Sequence, residues 1–144
     1  MTMTFRVAVL LAATLGLAGA ANAADSDLAT TLKGTVEDNL RGYNAKDMEA
    51  TLRSVHKSSP EYDSTKAALA DQFRDFDVKA ELIDFHYMGH DDEFVVARVK
   101  TRFVAPAGSG FNDTVVDSLV AFHQDGGVWK LWSDEVLGVQ FDAK

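Results

Sequence analysis

Apolar residues recur every three or four positions through the first half of the chain and every second position through the rest. Leu28, Leu32, Val36, Leu40 and Tyr43 fall on one helical stripe. They predict a helix over residues 26–43, locally weakened by Gly34 and Gly42. Asn44-Ala45-Lys46 reads as a turn, with Asp47 capping a second helix over 48–56 that turns Met48, Leu52 and Val55 inward. Ser59-Pro60-Glu61 is a helix-start signal, with Ser59 as the cap and Pro60 at the first helical position. The third helix then carries Tyr62, Leu69, Phe73 and Phe76 on one face.

From Val78 the period becomes two, predicting strands over 78–88, 93–104, 112–123 and 128–141. Gly89 to Asp92 is a turn, residues 105–110 a longer loop, and Asp125-Gly126-Gly127 a hairpin turn. Short connections make consecutive strands antiparallel neighbours. The expected fold class is therefore α+β: three N-terminal helices packed on one face of a curved four-stranded antiparallel sheet.

Ahead of the first helix lies a different signal. Arg6 is the only charge in residues 1–23, an apolar run spans 7–20, and Ala21-Asn22-Ala23 is a small-x-small cleavage site. Residues 1–23 are expected to be a cleaved secretory signal, and 24–144 a single exported domain, periplasmic or secreted. With no cysteine in the chain, lipid attachment at a new amino terminus, disulfides and thiolate metal sites are excluded. The whole chain carries a net charge of -8, and loss of Arg6 leaves the mature domain still more acidic, which disfavours nucleic acid and anionic membrane surfaces as partners.

Two stretches carry a family resemblance. Tyr43-Asn44-Ala45-Lys46-Asp47, after an amphipathic helix, resembles the helix-turn-helix entry of nuclear transport factor 2-like domains. Asp125-Gly126-Gly127-Val128-Trp129-Lys130-Leu131 is similar to their last hairpin. The resemblance covers nearly all of residues 26–141. It implies a cone-shaped, cystatin-like roll with a pocket at the open end. The superfamily includes ketosteroid isomerase-like and polyketide cyclase-like enzymes and many non-catalytic domains, so fold alone does not set function.

In the isomerase branch a carboxylate base faces a tyrosine and a protonated acid that hold the oxyanion, an arrangement used as a standard case of pKa tuning. Carried onto this chain, the resemblance implies Asp63 near the base position, Asn39 in place of the tyrosine, and Asp117 as an acid one residue out of register. Asp63 also lies in a first helical turn, where the helix dipole favours a carboxylate for stability alone. Asp63 and Asp117 are thus weak catalytic candidates, and Tyr62, Phe73, Tyr87, Trp132 and Asp134 are candidate ligand contacts. Glu135 also stands near the pocket mouth.

His86 and His90 span a strand end and a turn, too far apart when extended to clasp one ion, so no metal site is expected. Arg98, Lys100 and Arg102 alternate with apolar residues and predict a wet face paired with carboxylates such as Asp84 or Asp117. Trp129 and Trp132 fall on opposite faces of the last strand, which suggests a dimer interface or a ligand platform for the outer one. The expectation is an exported, non-catalytic domain, without cofactor, that binds a small apolar ligand or a partner as a homodimer. The alternatives are an isomerase, dehydratase or cyclase with a pocket carboxylate, and a structural dimerisation domain.

Overall fold

The computed structural model of the chain describes residues 15–142, with side chains from Ala23 onward. The n-region and the first half of the apolar run fall outside the described residues; Ala21 and Ala23 lie within the first helix. Three helices precede four strands: α1 (Leu15–Asn44), α2 (Met48–Arg53), α3 (Tyr62–Asp75), β1 (Lys79–His90), β2 (Phe94–Val104), β3 (Thr114–Asp125) and β4 (Val128–Phe141). The strands form one antiparallel sheet in the order β1-β2-β3-β4. No described helix is long and apolar enough to cross a membrane.

The stripe on α1 meets one face of that sheet. Leu32 and Val36 are buried with Val95, Ala97, Val99, Val120 and Phe122, and Trp129 and Leu131 pack against them. A second core joins Tyr43, Leu52, Val55 and Leu69 to Val78 and Ala80 at the base of β1. Cross-strand partners share a face, so the pairs Val99↔Ser118 and Val120↔Asp134 put all four residues on the helix side. Bulges interrupt β1 twice and the β3–β4 ladder twice. Each adds a residue to one strand and sharpens the local twist, which curves the sheet over the helices.

Several local signals act as expected. Asp47 caps α2 by accepting from the Ala50 amide at 2.9 Å. Gly126 and Gly127 take φ of 59° and 84°, the tight two-residue hairpin turn that matches strand twist. Asn44 copies a strand: its amide donates to the Ala80 carbonyl at 2.8 Å and accepts the Ala80 N–H at 2.7 Å, fixing the helical turn to β1.

Other boundaries differ. α1 starts before the expected Ser26, and β1 runs on to His90. α2 stops at Arg53 because the following residues join the sheet: Val55 bridges Leu131, the His56 amide donates to the Leu131 carbonyl, and Leu131 N–H donates to Ser54. Helix α3 begins at Tyr62, two residues beyond Pro60, with Glu61 at its cap position and no side-chain cap bond. Ser59 does not cap it. Its hydroxyl donates to the Trp132 carbonyl on β4 and accepts from the Glu61 amide.

Candidate functional site

Between α1, the 55–65 segment and the concave face of β2–β4 lies a cavity of about 240 Å³. Val36, Leu40, Val55, Val99, Phe103, Val116, Val120 and Leu131 make its apolar wall. Its polar wall is Asn39, Ser59, Glu61, Thr65, Thr101, Ser118, Ser133 and Asp134, with Trp132 beside them. A small, mostly apolar hollow with a few polar groups is the usual form of a ligand site.

The hydrogen bonding in this wall is uneven. Both amide hydrogens of Asn39 are used, donating to the Thr51 carbonyl at 3.0 Å and to Ser54 Oγ at 2.9 Å. The Thr51 carbonyl can only accept, so the amide orientation is fixed and the Asn39 oxygen remains an acceptor. Ser118 is 8 % exposed, and its hydroxyl meets no partner among the described residues. The Asp134 amide donates to Glu61 Oε2 at 3.3 Å, which ties α3's entry to β4. Asp134 itself is exposed at the cavity's edge; partial desolvation there, helped by the Glu135 charge, pushes its carboxyl above its ordinary value.

The residues singled out from sequence are only partly brought together. Trp132 and Asp134 line the cavity. Asp63 is exposed on α3 and is not part of the wall. Asp117 sits on the outer face of the sheet, where Arg98 grips it with bonds of 2.8 and 2.6 Å. That guanidinium holds its carboxyl below the usual carboxylate range. Arg102 likewise pairs with Asp142, so the two arginines of the basic stripe are paired on the outer face. Phe73 packs edge-on against Tyr43 at 5.5 Å, and Tyr62 joins the same core. Tyr87 packs on the first core, and its hydroxyl donates to Asp25 at 3.3 Å. Glu135 is exposed outside the wall. Among the described residues no cluster of His, Asp and Glu is arranged to hold a metal ion.

Sequence reasoning missed Asn39 as a scaffold, Glu61, Thr101 and Ser118. Period-two alternation already placed Thr101 and Ser118 on the faces of Val99 and Val120, so the signal was present once the faces were assigned. A second hollow of about 530 Å³ lies between α1, α2 and the start of β4. Of its three cations, Arg41 and Lys130 pair with Asp38 and Asp125, and Arg53 is the third.

A separate aromatic group gathers around the Trp132 ring. The Trp132 ring lies 4.9 Å from His56, 5.0 Å from His123 and 5.7 Å from Phe94. Phe94 and His123 are cross-strand partners on the face opposite Val95 and Phe122.

This architecture of helices capping a bent antiparallel sheet over a cavity is the nuclear transport factor 2-like cone. Solved structures share it. An NTF-2-like protein of unknown function from Shewanella oneidensis MR-1 superposes with a TM-score of 0.59 at 9% identity, over 74% of this chain and 96% of that one. A ketosteroid isomerase-like protein from Erwinia carotovora atroseptica gives 0.55 at 12% identity, over 76% and 96%. Bd1075 of Bdellovibrio bacteriovorus gives 0.60 at 14% identity over 73% of this chain, which spans only 38% of that protein. These likenesses concern the fold alone. No curated protein matches the chain. Residues 34–141 match the family model of the anti-sigma-I factor RsgI9 C-terminal domain, and the chain belongs to that family.

Proposed function

We propose that the mature domain is an exported, non-catalytic module that holds a small amphipathic ligand in the cavity and works as a homodimer. The cavity itself carries this reading: an apolar hollow between α1 and the sheet, with the hydroxyl of the buried residue Ser118 left without a protein partner and open to whatever fills it. Asn39 offers no free N–H to a developing oxyanion, and Asp63 and Asp117 stand outside the cavity, which argues against the isomerase arrangement. Membership in a family named for a domain of an anti-sigma factor favours signalling by binding over turnover. The half-buried aromatic group around Trp132 is the surface proposed for pairing.

Native mass spectrometry of the protein taken from its own compartment tests the ligand. A co-purifying small molecule is expected; only the bare protein mass contradicts the reading. Light scattering tests the dimer, with Trp132→Ala expected to shift it to monomer. A second reading, general base catalysis, is favoured by one observation, the upward shift of Asp134 in the cavity. It requires turnover of an enolisable ketone that Asp134→Asn abolishes.

A further inference from the structure

Among the described residues, the charged groups in the cavity wall are two carboxylates, Glu61 and Asp134, and no Lys, Arg or His lines it. The hydrogen-bond inventory leans the same way. The two Asn39 hydrogens are spent, and so is the Ser59 hydroxyl hydrogen. What remains is the Asn39 oxygen, the carboxylates and the hydroxyls of Thr65, Thr101 and Ser118, which accept as readily as they donate. A ligand that brings hydrogens and positive charge completes this set; an anion finds two like charges and no committed donor. Ser118, 8 % exposed as a residue, keeps a hydroxyl with no protein partner that opens onto the cavity, an independent sign that a polar atom belongs inside.

We infer that the cavity binds a primary alkyl- or arylalkylammonium, with its ammonium at Glu61 and Asp134 and its apolar part between α1 and the sheet. The size agrees: a dry cavity of ~150 Å³ holds benzene, and this one is about 240 Å³, enough for one ring or a six-carbon chain plus the head group. An ammonium has three donors, which matches two carboxylates and one hydroxyl or amide oxygen. The apolar strip also continues past the helices. Val139 pairs with the wall residue Val116, Val136 with Ser118 and Phe141 with Thr114, so all three side chains share the concave face, and they are 45 %, 51 % and 70 % exposed. A longer tail has a surface to follow.

This inference rests on the ligand-binding reading above, and the experiment separates the two. Hexylammonium, 1-hexanol and hexanoate are titrated calorimetrically into the signal-free protein near neutral pH, with the amide resonances of Val99, Ser118 and Asp134 followed by NMR. Hexylammonium is expected to bind roughly tenfold or more tighter than hexanol, the usual gain of a charge-assisted bond over a neutral one, with hexanoate weakest. Asp134→Asn and Glu61→Gln should each erase most of that preference while hexanol binding stays within about twofold, since uniform apolar burial is untouched. Hexanol binding as well as or better than hexylammonium overturns the cationic-ligand inference and leaves the cavity reading standing. No shift at any of the three amides with any probe overturns both.

Discussion

Replacing Tyr43 by Phe removes a hydroxyl that the fold buries without a partner. Tyr43 is 6 % exposed, and its hydroxyl is the one buried side-chain atom among the described residues with no hydrogen bond. Its ring sits edge-on to Phe73 at 5.5 Å and Phe103 at 6.0 Å, contacts that Phe reproduces. An unsatisfied buried hydroxyl costs about 1–3 kcal/mol. Tyr43→Phe should therefore gain at least about 1 kcal/mol at neutral pH, worth roughly 4 °C in a domain of this size. Burial also pushes the Tyr43 phenol up from 10.0 to about 12. The neutral phenol is favoured in the folded state, so this contribution is intact below pH 10 and disappears as pH climbs toward 12. The loss amounts to about 3 kcal/mol at most. Urea unfolding of both proteins at closely spaced alkaline pH values measures the divergence. Parallel stability curves, or a Phe variant less stable at neutral pH, would show that the hydroxyl has a partner and refute the reasoning.

Four further outcomes are expected. Asp134→Asn should raise the urea midpoint at neutral pH: the folded-state value is raised, so the acid form is favoured, and the gain should vanish as pH falls below the ordinary 3.8. Asp117 is depressed by its Arg98 bonds, so the stability it brings holds above 3.8 and drains away at lower pH; Asp117→Asn should be less stable near neutrality and converge with wild type in acid unfolding curves. Gly42→Ala puts a Cβ 2.6 Å from the Thr51 amide nitrogen and 2.8 Å from the Ala50 carbonyl carbon, both main chain. The crossing of α1 over α2 must open, and a thermal melt should fall by about 1–3 kcal/mol despite the gain in helix propensity. Leu32→Ala empties a fully buried site in the first core and should cost about 2–5 kcal/mol by denaturant titration.

The parts legible in the sequence are those set by neighbours along the chain. The stripe from Leu28 to Tyr43, the change of period at Val78 and the Gly126-Gly127 turn each report local geometry, and each became the expected element. Where a distant partner decides, the local signal gave way. Ser54 to His56 fit helix α2 by periodicity, yet they leave it to bond β4 at Leu131. Ser59-Pro60-Glu61 has the form of a helix start, but the Ser59 hydroxyl is drawn to the Trp132 carbonyl, 73 positions away. The cavity wall was hidden for the same reason. Ser118 and Thr101 look like ordinary strand hydroxyls until the register shows which side the helices cover. Asp117 was readable as an acid beside a basic stripe, and it is Arg98 that holds it on the outer face.

The stitch between the 54–56 segment and Leu131 is made of main-chain atoms, a carbonyl and an amide in each direction. Such a seam does not depend on which side chains flank it. Substitutions can accumulate on both sides while the 54–56 segment stays fastened to β4. A frame fastened through the main chain leaves the residues beside it free to vary without the hollow losing its edge.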